Sequence, residues 1–275
     1  AINMLARFIY FNKENVGFVI KGYAGTGKTT LIASLVKVCS EIGKSIVLMA
    51  PTGRSAKVMG NYSNTTASTI HRSIYHVKQF NEKFIFQLGK NTYKDTIFVV
   101  DEASMIAGKD VNGIYKNKEN NVLEDLLKYV YSSSGCRIIF VGDHAQLPPV
   151  GWDLSPALDV DCLNQLCIAK FYQFELTQVV RQAVDSDILK ESTRLRNLIV
   201  DNCFDLSIKV NNNDMKIISN YDVHDYLESA FSLDSYRDSI VVCRSNKTAN
   251  LYNKEIRSRV LWYEDEINTG DLHIS

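Results

Sequence analysis

Val16-Gly-Phe-Val-Ile20-Lys-Gly22-Tyr-Ala-Gly25-Thr26-Gly27-Lys28-Thr29-Thr30 is the stretch that decides the fold. Val16 to Ile20 is apolar and short, as a buried strand is. Residues 29 to 42 carry helical apolar spacing. Between them lies Gly-x4-Gly-Lys-Thr, and strand, glycine loop and helix together make that pattern a phosphate site. Glycines let backbone N–H groups close around a phosphate without a Cβ in the way, and a helix N-terminus adds partial positive charge. Lys28 has the reach for β- and γ-phosphates, and the Thr29 hydroxyl suits Mg²⁺. The competing reading is a glycine-rich turn that binds nothing.

Further buried strands follow, each ending in polar residues. Ser45 to Ala50 runs into Pro51-Thr52-Gly-Arg-Ser-Ala-Lys57. A polar turn there sits where α/β folds bind ligands, though an ordinary strand-to-helix turn reads the same way. Thr96 to Val100 ends in Asp101-Glu102-Ala-Ser. Adjacent carboxylates on a strand end suit a metal ligand, Asp101, and a base for an attacking water, Glu102. Strand alternation predicts that the two side chains diverge. Cys136 to Val141 leads into Gly142-Asp143-His-Ala-Gln146-Leu-Pro-Pro-Val-Gly151, where Gln146 suits water or γ-phosphate sensing. Tyr172 to Leu176 leads into Thr177-Gln-Val-Val-Arg181-Gln182, and Arg181 suits transition-state charge. Helices are predicted over residues 1–11 and 119–131. Strands alternating with helices predict an α/β fold with a parallel sheet and helices on both faces.

Ala67 to Arg72 reads as a short helix, on which His71 either meets a nucleic acid or is an ordinary capped residue. Residues 77–95, around Phe84-Ile-Phe86-Gln-Leu88, read as a small inserted β-hairpin; exposed aromatics there either stack bases or pack on the domain. Beyond residue 180, Ser186 to Leu198 reads as a helix. Met215 to Ser219 and Ile240 to Cys243 read as strands, and Arg244 to Asn250 as a helix start. The expected division is residues 1–180 and 181–275, with the hairpin at 76–95.

Composition narrows the classes. Lys+Arg and Asp+Glu are both 31 in 275 residues, so no global basic field announces a nucleic acid. Locally, residues 21–80 hold eight Lys/Arg against one acid, Glu41, which suits a polyanion or is simply a solvated face. Six cysteines without a Cys-x2-Cys pair point to a reducing compartment, here the cytoplasm, and no metal cluster. No apolar run is long enough to span a membrane. Both ends read as cut from a longer protein.

Taken together, GYAGTGKTT, APTGRSAK, ASTIH, DEAS, GDHAQLPPVG and LTQVVRQ resemble the superfamily 1 helicases, within them the RecD/Dda-like group (superfamily 1B), over residues 10 to 260. The resemblance implies an ATP-driven motor moving 5′ to 3′ on single-stranded DNA and opening duplex junctions. It implies two RecA-like domains, the second here only in part, with ATP and Mg²⁺ as cofactors. It places Gly22, Gly25, Thr26, Gly27, Lys28, Thr29, Thr30 and Asp101 on the nucleotide, with Thr29 and Asp101 on the metal. Glu102, Lys28, Gln146 and Arg181 become the catalytic set. Pro51, Thr52, Ser68, Thr69 and His71 become DNA contacts, with Arg244, Asn246 and Lys247 beside them or as a plain helix cap. The hairpin falls where the group carries its strand-separating pin. A monomer, with accessory recombination or repair subunits, would fit.

Two features depart from the group. No Gln stands between residues 1 and 22 for the motif that recognises adenine. The C-terminal His/Ser-x-x-Gln-Gly and Tyr-Val-Ala-x-Ser/Thr-Arg segments are missing. Two other classes stay open: a switch ATPase indifferent to DNA, and a binding-only module derived from a helicase.

Overall fold

The computed structural model describes residues 2–10, 15–80, 83–108, 121–149, 151–177, 186–201, 203, 207–210, 214–232 and 238–263. The chain divides into two compact units, residues 1–184 and 185–275.

The first unit opens with α1 (Ile2–Tyr10), β1 (Val16–Gly22), α2 (Lys28–Glu41), β2 (Ile46–Ala50) and α3 (Gly53–Ser63). There follow β3 (Ala67–Thr69), α4 (Ile70–Ile74) and the antiparallel pair β4 (Tyr75–Phe80) and β5 (Lys83–Leu88). Then come β6 (Ile97–Val100), α5 (Val122–Tyr131), β7 (Arg137–Gly142), α6 (Val160–Leu166) and β8 (Lys170–Leu176). Six strands form one sheet in the order β3-β2-β6-β7-β1-β8. Every pairing in it is parallel, so all six C-terminal ends lie along one edge.

The central strands are continuous apolar runs because both sheet faces are covered. Alternation sorts their side chains into two cores. Val19, Phe98, Val100, Ile138 and Phe140 join Ile70 and Ile74 of α4, Leu123, Leu126, Leu127 and Val130 of α5, and Leu163 of α6. Phe18, Ile20, Ile97, Val99, Ile139 and Val141 join Leu5, Phe8 and Ile9 of α1, Ile32, Leu35 and Val36 of α2, and Ala56 and Met59 of α3. Each Val, Leu, Ile, Phe or Met side chain among them contributes about 1.5–3 kcal/mol on burial.

Polar residues hold the helix ends inside these cores. Asn91 is buried, and its Nδ2 donates to the carbonyls of Tyr129 (3.0 Å) and Val130 (3.3 Å) at the end of α5. Its Oδ1 accepts from the Tyr93 N–H. Asn91→Ala leaves those groups unsatisfied and is expected to lower stability by about 1–3 kcal/mol. Chemical denaturation would show this as a lower midpoint with an unchanged slope.

Two expectations need correction in this unit. Ala67 to Thr69 is not helical: it adds a short strand to the sheet edge, with Ala50 opposite Thr69, and the helix starts only at Ile70. Edge pairing with β2 satisfies backbone groups that three residues of helix would leave open. The hairpin is present but starts at Tyr75 rather than 77, with Tyr75 opposite Leu88.

The second unit contains α7 (Asp187–Val200), α8 (Val223–Ala230) and α9 (Asn246–Glu255), which ends in a π-helical turn, Ile256–Val260. The predicted strands at Met215–Ser219 and Ile240–Cys243 do not form. A strand is held by hydrogen bonds from its neighbours, and neither segment has a paired neighbour here. Their apolar side chains accordingly stand out: Ile217 is 76% exposed and Val242 88%.

Candidate nucleotide site

The phosphate loop leaves β1 and turns directly into α2. Gly25 and Gly27 adopt left-handed φ of 79° and 85°, which a side chain would resist. A Cβ on Gly22 would stand 2.7 Å from the Thr26 hydroxyl, so that position must stay bare. Gly27 caps α2 without any side-chain hydrogen bond. The first-turn N–H groups of a 14-residue helix therefore face the loop without a side-chain acceptor from the cap. Thr26 is buried and its hydroxyl donates to the Tyr23 carbonyl at 2.7 Å.

Lys28 curls over this loop. Its Nζ donates to the carbonyls of Gly22 (2.6 Å) and Tyr23 (3.0 Å), and lies 3.9 Å from Oδ2 of Asp143. Burial pushes the Lys28 ammonium below its ordinary value, while Asp143, Glu102 and Asp101 pull it back up. Those three acids arrive on two strands. Asp143 follows β7, which pairs with both β1 and β6, and Asp101-Glu102 follow β6. One cation and three carboxylates thus meet at the ends of three adjacent strands.

The strand alternation expected for the two carboxylates does not reach them. β6 stops at Val100. Asp101 keeps its N–H on the Met49 carbonyl of β2, and its Oδ1 accepts the Glu102 N–H at 2.9 Å. Glu102 then takes a left-handed conformation, φ 53° and ψ 38°, and a 3-10 turn follows at Ala103–Met105. A non-glycine residue in that region is held there by its surroundings. Burial raises the Asp101 carboxyl above its usual value, against the Glu102 N–H and Lys28. Burial, then Asp101, raises Glu102, with Lys28 opposing.

A divalent cation fits this chemistry. Two half-buried carboxylates with raised proton affinity share one lysine, an excess of negative charge that Mg²⁺ would relieve. Among the described residues no group of three or more His, Cys, Asp or Glu side chains could hold a metal by itself. The chain would therefore supply Asp101 and Thr29, and substrate phosphates and waters the rest, as is usual for Mg²⁺.

The loop after β7 closes on the Asp101-Glu102-Ala-Ser turn. Ser104 donates its hydroxyl proton to Oε1 of Gln146 at 3.1 Å. The Ser155 hydroxyl lies 2.7 Å from each of the carbonyls of Ala103 and Ile106, with one proton to share between them. A Cβ on Gly142 would stand 3.1 Å from the Ser104 nitrogen, so glycine is what admits the turn this closely. Asp143 accepts the Ala145 N–H at 2.9 Å, which shapes the loop that carries Gln146. Asp143, Ser104, Ser155 and His144 were not singled out from the sequence. Asp143, Ser104 and His144 sit inside quoted motifs and Ser155 just beyond one, but a polar residue in a loop shows no partner until the fold supplies one.

The other candidates group as follows. Ala50 and Thr69 are register partners, so Pro51-Thr52 and Ile70-His71 leave the sheet side by side. Thr52 caps α3, accepting from Ser55 N–H at 3.1 Å, and Thr69 caps α4, accepting from Arg72 N–H at 3.2 Å. Ser68 is hydrogen-bonded to Ser73. His71 and Arg72 are exposed. His71 packs on Tyr75 at 5.6 Å, and Tyr75 on Phe86 of the hairpin at 6.2 Å. In the second unit the cap of α9 is Ser245, accepting from Thr248 N–H, while Arg244, Asn246 and Lys247 are exposed around it. Arg181 lies outside the described residues.

Comparison with known proteins follows the same lines. A family model described as an AAA domain matches residues 9–206, more than half of the chain. The ATP-dependent DNA helicase dda of Enterobacteria phage T4 is 27% identical over 283 residues, covering 99% of this chain and 58% of that protein. The ATP-dependent RecD2 DNA helicase of Deinococcus radiodurans is 31% identical over 173 residues, covering 62% of this chain and 20% of that protein. A crystal structure of Pif1 helicase from Candida albicans aligns with a TM-score of 0.43 and 18% identity, over 88% of this chain and 54% of its own. The chain thus spans a little over half the length of the phage protein and a fifth of the bacterial one. It belongs to the AAA-domain family, and its relatives include ATP-dependent DNA helicases.

Proposed function

We propose that this chain is the ATP-hydrolysing core of a DNA helicase motor. The observation that carries the reading is the convergence of Lys28, Asp143, Asp101 and Glu102 around the α2 N-terminus, without a side-chain cap on it. Phosphates of ATP would be held by the loop N–H groups from Gly22 to Thr30 and by Lys28, which would exchange its loop carbonyls for them. Mg²⁺, when bound by Thr29 and Asp101, supplies neutralising charge at the phosphates. Glu102 takes the proton of the attacking water, and its raised proton affinity makes it a stronger base than an exposed carboxylate. Gln146, held by Ser104, would orient that water. Arg181 would stabilise charge on the γ-phosphate. In the first unit Pro51, Thr52, Ser68, Thr69 and His71 would hold single-stranded DNA by its backbone, and the hairpin would meet the duplex junction; in the second, Arg244, Asn246 and Lys247 would be DNA contacts of their own. Among the described residues no helix is long and apolar enough to cross a membrane.

Steady-state ATP hydrolysis with and without single-stranded DNA tests this directly. DNA should raise the rate severalfold or more, and the stimulation should weaken with salt because backbone phosphates carry the contact. Hydrolysis indifferent to DNA would move the weight to a switch ATPase. Nucleotide binding without hydrolysis would favour a binding-only module.

A further inference from the structure

Backbone pairing between β1 and β7 ends at Lys21 opposite Gly142. Two residues further on, the same register would bring Tyr23 opposite His144. Side chains take over from the backbone at that point. The Tyr23 hydroxyl lies 3.0 Å from Nε2 of His144, and the two rings pack with centroids 4.8 Å apart. On the far side of β1, Glu175 of β8 is also a register partner of Lys21, and its Oε1 is 4.0 Å from the same Nε2. That is too long for a hydrogen bond, so the Tyr23 hydroxyl is the hydrogen-bond partner at Nε2. Nδ1 of His144 is buried without a hydrogen-bond partner among the described residues.

A ring that served only to fill space would not need nitrogens here. Burying one of them unpartnered costs free energy that a phenyl or leucyl side chain would avoid. What histidine adds is the bond to Tyr23, and both ends of that bond stand at sensitive places. The Tyr23 carbonyl accepts from Lys28 Nζ, from the Thr26 hydroxyl and from the Thr26 N–H. His144 is flanked by Asp143, which faces Lys28, and lies two residues from Gln146.

We propose that Tyr23 and His144 form a clasp that sets the spacing between the phosphate loop and the loop bearing Gln146, with His144 as a positioning residue. The inference rests on the ATP-hydrolysing reading above. The clasp acts on geometry alone: it holds the backbone that carries Lys28 in step with the backbone that carries Gln146. Such placement matters to rate more than to affinity, because phosphate binding is spread over many loop N–H groups while water has one productive position.

The test compares Tyr23→Phe, His144→Leu, the double variant and His144→Gln, whose amide nitrogen reaches to about where Nε2 stands. Turnover, KM, affinity for a fluorescent ATP analogue and melting temperature are measured for each. Each single change should lower kcat by about tenfold with analogue affinity within about twofold. The double variant should be no slower than the worse single one, since both break one bond. His144→Gln should recover much of the rate. A wild-type rate in Tyr23→Phe, multiplicative losses in the double variant, or rate losses that only follow melting temperature would overturn the clasp while leaving the ATPase reading standing. A wild-type protein that neither binds nor hydrolyses ATP would overturn the ATPase reading and the clasp with it.

Discussion

Glu102→Gln is expected to lower ATP hydrolysis by about 10²–10⁴-fold while nucleotide affinity stays near wild type. The change keeps side-chain length and leaves the left-handed backbone at Glu102 as it is, so it isolates the carboxylate. Retained binding distinguishes loss of a base from collapse of the site. The same residue sets a pH dependence. A base works only when deprotonated, and burial followed by Asp101 raises the pH at which Glu102 loses its proton. The acid limb of the rate profile should therefore lie above that of an exposed glutamate. A profile that falls only in the range of ordinary carboxylates would assign the base elsewhere.

Lys28→Ala is expected to reduce hydrolysis by at least about 10²-fold, as does removal of one preorganised charge donor elsewhere. Here nucleotide affinity should fall too, since among the described residues Lys28 is the lysine or arginine that reaches both the loop carbonyls and Asp143. The variant also has a stability signature with a definite sign. Lys28 holds down the proton affinity of Asp101 and Glu102, against the burial that raises it. Without it both carboxyls titrate still higher in the folded chain. Stability carried by their protonated forms is complete at low pH and is lost as pH rises through those raised values. The melting temperature of Lys28→Ala should thus fall furthest behind wild type near neutral pH, where Lys28 is charged and both carboxyls are ionised, and approach it on acidification. A pH-independent deficit would mean that Lys28 matters here only through packing.

Much of the first unit was legible because its information is local. Gly25 and Gly27 predict a loop whose backbone can close around a phosphate, and Val16 to Ile20 and Thr96 to Val100 predict burial on both faces. Lys28, Asp101 and Glu102 are recognisable because each stands at a fixed offset from a strand end. Where reading failed, the deciding term came from elsewhere in the chain. Ala67 to Thr69 became a strand because β2 offered an open edge, which no property of Ala-Ser-Thr announces. Met215 to Ser219 and Ile240 to Cys243 have strand composition, yet composition cannot supply the neighbour that makes a strand.

The sequence by itself determined the phosphate loop, the run of polar strand ends along one sheet edge and two of the three acids around Lys28, Asp101 and Glu102. These depend on period, offset and backbone stereochemistry, all short-range quantities. Only the tertiary structure decided which polar groups meet. Strand order puts β7 between β1 and β6, and so brings Asp143 to Lys28, Ser104 to Gln146 and His144 to Tyr23. Pairings between residues 42 to 121 positions apart follow from the order in which the sheet assembles, and burial then sets the charge behaviour of the groups it has gathered.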